Sequence, residues 1–215
     1  MTADPMTPLY ADAALLVFDK PGGLLAVPGR GEAKQDCLSA RVQASYPDAL
    51  VVHRLDMATS GLMLLARGAA MQRQLSMLFA AREVTKRYVA VVAGRLEAPQ
   101  EEWGSIDLPI AVDWSKRPLR VVDHERGKPS VTRWRVLAFD AVTQTTRVEL
   151  EPVTGRSHQL RLHLQAIGHP ILGDALYAPL EAQAVAERLL LHACMLSFRH
   201  PLTGAEVAFE SAPGF

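Results

Sequence analysis

The chain has 215 residues, and 49% of them are hydrophobic, enough to bury a full core without disulfides or a structural metal. Its 23 basic and 23 acidic side chains cancel, so the overall charge indicates neither a nucleic-acid nor a membrane-surface partner. The N-terminal segment lacks the basic start of a signal peptide, and no apolar run reaches the roughly 20 residues of a membrane span. We expect a cytoplasmic, monomeric protein without a membrane partner, whose two cysteines, Cys37 and Cys194, are reduced.

The first part of the chain alternates short apolar runs with two helical patterns. Apolar runs closed by Gly, Pro or Asp are typical of strands. Stretches rich in Ala, Leu, Met and Gln are typical of helices. In chain order the patterns predict a strand at Ala14–Asp19, a second strand at Leu24–Val27 in a hairpin with the first, a helix at Gln35–Tyr46, strands at Leu50–His53 and Leu62–Ala66, and a helix at Ala69–Ala81.

The second part of the chain contains one segment whose pattern suits two structures. Alternation of Leu160, Leu162 and Leu164 favours a strand, whereas Ser157 as a cap and Gly168 as a terminator favour a helix, which we predict. The remaining patterns predict strands at Lys86–Gly94 and Gln144–Pro152, a helix at Ala182–Leu191, and a final strand pair at Met195–Phe198 and Glu206–Phe209. Strands with interspersed helices and no regular βαβ alternation indicate an α+β fold with a largely antiparallel sheet.

One segment, Ser115–Arg135, departs from the neutral balance of the chain. It carries seven basic side chains against two acidic ones, Asp123 and Glu125. Such a run is usually a solvated face, and a phosphate-binding track is the alternative.

Signatures of metal and nucleotide chemistry are missing from the sequence. The histidines form no H-E-x-x-H pair and none lies near a pair of cysteines. No phosphate-binding glycine loop occurs, and Ser60 is not part of a G-x-S-x-G elbow. We expect no cofactor and no metal, although a metal-dependent hydrolase that uses Asp56 and histidines stays open as an alternative.

The remaining candidate is a carboxylate with basic neighbours. Asp56 lies between two apolar stretches and close to Arg54, while Arg156 and Arg161 follow in the sequence GRSHQLR. A carboxylate that faces an arginine stays ionised and can act as a nucleophile or base. A structural ion pair is the simpler explanation. Tyr88, in a strand of valine and alanine, suits either core packing or stacking on a base.

Five blocks of the sequence resemble, in order, the motifs of the RluA-type pseudouridine synthases, which isomerise uridine in RNA. The central block, HRLDMATSGL, resembles the signature of that family. The blocks are Lys20–Gly31, His53–Leu62, Lys86–Gly94, Val153–Tyr177 and Arg188–Ala193, and together they run over nearly the whole chain. Their sequences most resemble those of the dual-specificity enzymes of this family, which act on a hairpin of large-subunit ribosomal RNA and on the anticodon stem-loop of some transfer RNAs.

The resemblance implies a role for each candidate residue. Asp56 matches the catalytic aspartate, which attacks the sugar or base as the glycosidic bond breaks. Arg161 matches its basic partner, and Tyr88 matches the aromatic residue against the target uracil. Arg54 matches the arginine that takes the place of the flipped nucleotide. His53, Arg156 and Leu190 lie in matching blocks and are expected to contact substrate.

The resemblance also implies an architecture. It predicts a pseudouridine synthase fold, with a central, mainly antiparallel mixed β-sheet and flanking helices, over residues 14–215. A short N-terminal extension, 1–13, precedes it, and no S4 RNA-binding domain is expected. The catalytic domain must then bind RNA without a separate domain, which favours the basic segment Ser115–Arg135 as a contact for RNA phosphates. A non-catalytic RNA-binding or ribosome-assembly protein is the alternative function.

Overall fold

The computed structural model describes residues 7–215, and these form two compact units. The first unit contains residues 7–86 and 193–214, and the second contains residues 87–192 together with Phe215. Residues 1–6 of the predicted N-terminal extension lie outside the described residues, whereas Tyr10–Ala11 forms a short strand. The assignment of residues 14–215 to one catalytic domain stays a prediction.

The elements are numbered in chain order. The described strands are β1 (Tyr10–Ala11), β2 (Leu15–Lys20), β3 (Ala49–Val51), β4 (Ser60–Arg67), β5 (Thr85–Ala93), β6 (Gly104–Asp107), β7 (Ile110–Val112), β8 (Arg120–Val122), β9 (Val131–Asp140), β10 (Thr145–Pro152), β11 (Leu191–Arg199) and β12 (Glu206–Glu210). The α-helices are α1 (Leu38–Ser45), α2 (Gly68–Ala81), α3 (Gln159–Ala166) and α4 (Leu180–Ala184). Within residues 7–215, no helix has both the length and the apolar character needed to span a membrane.

The first unit is built on β2 and β4, which pair antiparallel and are covered on both faces. On one face, Leu75 of α2 packs against β2 and β4, with Leu78 and Phe79 beside it. On the other face, Leu38 and Val42 of α1 pack against the same strands. Burial on both faces explains why these strands are nearly continuous apolar runs rather than alternating ones.

The second unit is built on antiparallel strands in the order β5-β10-β9-β6. In β10, Thr146, Val148 and Leu150 are buried while the residues between them are partly exposed, so one face of the sheet is the inner face. The α3 helix lies on this face, where Gln159 donates a hydrogen bond to Thr132 of β9. The β7–β8 hairpin forms a separate two-stranded sheet.

The predicted α+β class is confirmed, with mainly antiparallel strands and few helices. The final strand pair and the helix at residues 157–168 are also confirmed. Two predictions are wrong. Leu24–Val27 is not a strand, because only Leu25 forms an isolated parallel bridge, to Cys37. The helix predicted at Ala182–Leu191 is α4, which ends at Ala184, and Leu191 begins β11.

Gly61, in β4, lies where the backbone of β11 approaches most closely. Its φ is +113°, and a Cβ here would lie 2.3 Å from the backbone oxygen of Ala193. We expect Gly61→Ala to lower the free energy of unfolding by about 2–4 kcal/mol, because both the backbone conformation and the contact oppose a side chain. Urea unfolding measures this, and Gly204→Ala, with a positive φ but open space, is the matched control for the conformational part alone. Equal losses in the two variants would contradict the close approach.

Candidate active site

Asp56 lies in the loop between β3 and β4, and the buried end of β2 anchors this loop. Lys20, the last residue of β2, is fully buried. Its Nζ donates hydrogen bonds to the backbone oxygens of Pro21, at 2.9 Å, and Leu24, at 2.8 Å. A third hydrogen bond, of 3.1 Å, reaches the backbone oxygen of Met57, the neighbour of Asp56. One ammonium group therefore ties β2, the following turn and the Asp56 loop together.

The charge of Lys20 lies beside Asp56. Burial lowers the pKa of Lys20 to about 8, and the carboxylates of Asp56 and Asp19 partly offset this effect. At neutral pH the ammonium stays charged, because the carbonyl oxygens and the carboxylates replace its lost hydration. Sequence reasoning did not select Lys20 as a site residue. The available signal was a lysine that closes the apolar run LLVFD immediately before PGG.

The lowered pKa of Lys20 predicts how activity depends on pH. As the pH rises through about 8, Lys20 loses its proton, so Asp56 loses a neighbouring cation and the loop loses a hydrogen-bond donor. We expect kcat to decline above pH 8 in wild type. Between about 8 and the ordinary lysine value of 10.5, the unfolded chain keeps this proton and the native chain releases it, so Lys20 contributes stability that rises with pH.

Measuring kcat and urea unfolding in parallel from pH 7 to 10 separates these two effects. Lys20→Met should have a low kcat without this pH dependence, and it should be less stable, since buried carbonyl oxygens lose their donor. A kcat that stays level across the range in wild type would contradict the role of the Lys20 charge.

His53 and Arg54 occupy very different surroundings in the same loop. The Nε2 atom of His53 accepts a hydrogen bond of 2.9 Å from the backbone N–H of Leu64, and the ring stacks on Phe79 with centroids 4.6 Å apart. Burial lowers the pKa of His53 to about 3, so the ring is neutral. These contacts give His53 a structural role in β4, and its predicted substrate contact stays a prediction. Arg54 is exposed and has no hydrogen-bond or ion-pair partner within residues 7–215.

Tyr88 lies on the inner face of the second unit's sheet. It is on β5, opposite Leu150 of β10, and the register places it on the same face as Ala90 and Val92. Those neighbours are buried, whereas Tyr88 is only partly so. Because α3 covers the same face, Tyr88 and the side chains of α3 share one side of the sheet. A tyrosine supplies a rigid ring of the kind that can stack on a base.

Arg161 is buried in α3 and is held by an acid that sequence reasoning did not select. Its guanidinium donates to both carboxylate oxygens of Asp174, at 2.8 and 2.5 Å. Asp174 is fully buried and also accepts hydrogen bonds from the backbone N–H groups of Leu176 and Tyr177. The ring of Tyr177 lies 5.2 Å from the guanidinium carbon. This fixed geometry orients Arg161, and its pairing with Asp56 stays a prediction.

Arg156 is exposed and lines a cleft of about 810 Å³ within the second unit. The lining also includes Trp114 and Arg120 from the β7–β8 hairpin, and Arg126 and Lys128 from the turn that follows, together with the acids Asp113 and Asp123. The Trp114 side chain is 73% exposed, and the guanidinium of Arg117 lies 3.8 Å from its ring centroid. Aromatic and basic side chains around one cleft suit a ligand with flat bases and phosphates.

The basic segment Ser115–Arg135 divides into two parts in the structure. Arg133 and Arg135 lie on β9 and form ion pairs with Glu151 and Glu149 of the neighbouring β10. Arg133 shares Glu151 with Arg87, and Arg135 also pairs with Glu102, so both arginines are engaged in ion pairs within the unit. Apart from Arg156, the cations that line the cleft belong to the earlier part of the segment, where Arg126 pairs with Asp123.

Leu190 packs in a small apolar cluster of the second unit. It lies against Leu172, Ala178 and Ala182, and its backbone oxygen accepts a hydrogen bond from the N–H of Val91. These contacts fix the segment that leads into β11. The predicted substrate contact of Leu190 stays a prediction.

Five of the six histidines considered for metal binding make hydrogen bonds within their own units, namely His53, His158, His163, His169 and His200. His163 bonds to Thr132 and to the backbone oxygen of Leu108, and burial lowers the pKa of His163. His200 pairs with Asp12 at 2.8 Å. Among residues 7–215, no three His, Cys, Asp or Glu side chains lie close enough to hold a metal ion.

Comparisons with known proteins agree with the resemblance in the sequence. The family model described as RNA pseudouridylate synthase matches residues 14–166. The dual-specificity RNA pseudouridine synthase RluA of Escherichia coli K12 is 49% identical over 207 residues, which covers 96% of this chain and 93% of that protein. The enzyme of the same name from Yersinia pestis is 48% identical over 210 residues, covering 98% and 100%.

The fold has solved relatives as well. Human RNA pseudouridylate synthase domain containing 1 has a TM-score of 0.79 at 27% identity, covering 98% of this chain and 86% of that one. Human RNA pseudouridylate synthase domain containing 4 has a TM-score of 0.75 at 26% identity, covering 96% and 88%. The chain therefore belongs to the RNA pseudouridylate synthase family and is an enzyme that isomerises uridine in RNA.

Proposed function

We propose that the chain isomerises specific uridines in loops of large-subunit ribosomal RNA, of the transfer RNA anticodon stem-loop, or of both, with Asp56 as the nucleophile. The observation that carries this proposal is an aspartate of the family signature held in an anchored loop beside a buried lysine. The similarity to enzymes named for dual specificity, at 47–49% identity, supports the two RNA classes. We also propose that the enzyme acts as a monomer in the cytoplasm.

The reaction moves one bond of the nucleotide. The Asp56 carboxylate attacks the sugar or the base, and the bond between C1′ and N1 of uracil breaks. Uracil then rotates in the pocket, and C1′ bonds to C5 while the bond formed by Asp56 breaks and releases the carboxylate. The hydrogen on C5 leaves as a proton, and N1 gains a proton. Atoms and electrons balance without an oxidant or reductant. A nucleophile that stays ionised is what this step requires.

The other candidate residues are proposed to assist the carboxylate and the base. Arg161, held by Asp174, pairs with the carboxylate, and Tyr88 lies against the uracil. The target uridine must leave its stack, at a cost of roughly a few kcal/mol. Arg54 is exposed without a partner among the described residues, so it is available to fill the space that the flipped nucleotide leaves. His53, Arg156 and Leu190 are proposed to contact substrate.

RNA recognition is proposed to use the cleft of the second unit. Its basic and aromatic walls suit phosphates and splayed bases, whereas the Arg133 and Arg135 part of the basic segment is paired with glutamates. A local patch of this kind explains how a chain with no net charge can bind RNA. Non-specific binding is then weak, and the shape of the RNA loop decides the substrate.

Release of tritium from RNA labelled at uracil C5 tests the substrate. Ribosomal and transfer RNA transcripts are assayed separately, with a chelator present. Release from either transcript supports the proposal and identifies the substrate. Release that stops when chelator is added would favour the metal-dependent alternative, and tight binding without release would favour a non-catalytic RNA-binding protein.

A further inference from the structure

The hydroxyl of Tyr177 joins the β7–β8 hairpin to the start of α3. It accepts a hydrogen bond of 2.9 Å from the backbone N–H of Arg120, the first residue of β8. It also lies 2.8 Å from Nδ1 of His158, the residue that precedes α3. A phenol can accept one hydrogen bond and donate another, so a single oxygen connects two segments that are distant in sequence.

The ring of Tyr177 makes a different contact from its hydroxyl. It lies 5.2 Å from the guanidinium carbon of Arg161, and the Tyr177 N–H donates to the same Asp174 carboxylate that holds that guanidinium. The ring therefore supports the orientation of Arg161, which the ion pair with Asp174 also fixes. Hydroxyl and ring thus serve separate parts of the second unit.

His158 shows that the chain maintains this junction at a conformational cost. Its φ is 59° and its ψ is 15°, the left-handed region that non-glycine residues rarely adopt. The conformation is unfavourable for a residue with a Cβ and persists where surrounding contacts favour it. The hydrogen bond to Tyr177 and an edge-on ring contact, with centroids 5.6 Å apart, are such contacts.

The junction lies at the cleft proposed to bind RNA. Arg120 of the hairpin lines the cleft, and so do Arg156 and Ser157, which immediately precede His158. The hydroxyl of Tyr177 therefore links the two chain segments that line the cleft, the hairpin and the residues before α3. Within residues 7–215, the Tyr177 hydroxyl is the only side-chain group that accepts a hydrogen bond from the N–H of Arg120, the first residue of β8.

We propose that Tyr177 is a positioning residue with two separable duties, in which its hydroxyl holds the hairpin wall of the RNA cleft and its ring holds Arg161 for turnover. The proposal rests on the proposed function, because it assumes that the cleft binds RNA and that Arg161 acts in the reaction. The hydroxyl of Tyr177 then affects the affinity for RNA, and its ring affects the rate of turnover.

Steady-state kinetics of Tyr177→Phe and Tyr177→Leu separate the two duties. Tyr177→Phe keeps the ring and removes the hydroxyl, so KM for RNA should rise about tenfold, as expected for a donor left without its acceptor, while kcat stays within about twofold. Tyr177→Leu removes both the ring and the hydroxyl, so kcat should fall about tenfold or more while KM rises as in Tyr177→Phe. An unchanged KM in Tyr177→Phe, or a fall in kcat equal to that of Tyr177→Leu, would overturn the proposal.

Tyr46→Phe is the matched control. Its ring also lies near an arginine, 5.6 Å from the guanidinium carbon of Arg67, and its hydroxyl has no hydrogen-bond partner among the described residues. Both kinetic constants should stay at the wild-type values. If Tyr177→Leu does not fold, Tyr177→Phe alone decides between the outcomes.

Hydrogen exchange in the RNA-free protein tests the hairpin contact without any activity. The amide of Arg120 should exchange at least about fivefold faster in Tyr177→Phe than in wild type or Tyr46→Phe, because its acceptor is gone. Unchanged exchange would overturn the docking duty even if the enzyme is active. If Arg120 exchanges faster in Tyr177→Phe but the wild-type protein yields no pseudouridine, the hairpin contact stands and the proposed function is overturned. The proposed role of the Tyr177 hydroxyl in RNA binding is then overturned with it.

Discussion

Asp56→Asn is expected to abolish pseudouridine formation, with a loss of at least about a thousandfold in kcat. The amide cannot act as the nucleophile, although it has nearly the same shape as the carboxylate. Lys20 holds the backbone of this loop through a hydrogen bond to the oxygen of Met57, and the Asp56 side chain takes no part in that hydrogen bond. The loop should therefore keep its position in the variant. RNA binding and urea unfolding should therefore stay close to wild type. Turnover, RNA affinity and stability are measured on the same preparation.

Asp19→Asn is the matched control for this substitution. Asp19 is the second carboxylate whose charge acts on Lys20, but its side chain accepts a hydrogen bond from Ser211 and is assigned no role in the reaction. Its removal should leave kcat within a few-fold of wild type. Equal loss in the two variants would indicate that both act only through the charge of Lys20. Turnover by Asp56→Asn at the wild-type rate would refute the nucleophile assignment.

Asp174→Ala should cause the largest loss of stability among the substitutions considered, about 3–5 kcal/mol in the free energy of unfolding. The substitution leaves the buried Arg161 guanidinium without its bidentate partner. It also removes the acceptor of two backbone N–H groups, those of Leu176 and Tyr177. Urea unfolding measures the loss. The mirror substitution, Arg161→Ala, should also destabilise, because it leaves the Asp174 carboxylate buried.

The exposed pair of Asp36 and Arg41 is the natural comparison. Its bond is 2.6 Å long, but its side chains are 64% and 38% exposed. Asp36→Ala should therefore change the free energy of unfolding by less than about 1 kcal/mol. If Asp174→Ala costs no more than Asp36→Ala, the buried ion pair does not hold Arg161 in place as described.

The sequence predicted best where one physical signal dominated. The strands β2 and β4 are buried on both faces, and their continuous apolar runs identified them. The α2 helix was predicted because its helix-forming residues also place Leu75, Leu78 and Phe79 on one face. The strand at β10 was predicted because its alternation matches a sheet with one inner face.

Predictions failed where tertiary contacts decided the structure. Leu24–Val27 has the composition of a strand. The backbone oxygen of Leu24 instead accepts a hydrogen bond from the Lys20 side chain, and the segment forms a turn rather than a hairpin strand. The start of α3 was assigned to Ser157 as a cap, whereas His158 is the capping position, because Tyr177 favours its left-handed backbone. Contacts between distant residues leave no periodic signal in the chain.

The candidate site shows the same division. Asp56, Arg54, Tyr88 and Arg161 were selected from motifs whose order and spacing are specific. Lys20 and Asp174, which hold two of these residues, lie in the same blocks but were not selected, because their importance depends on burial. A charged residue next to an apolar run is ordinary in sequence and becomes informative only when the structure shows it to be inside.

Nucleoside analysis of RNA treated with the enzyme tests the central claim most directly. Transcripts are incubated with wild type or Asp56→Asn in the presence of chelator, digested to nucleosides and separated by chromatography. We expect wild type to convert uridine into an equal amount of pseudouridine, while Asp56→Asn binds the same RNA and yields none. Pseudouridine from both proteins, or from neither despite tight binding, would contradict it.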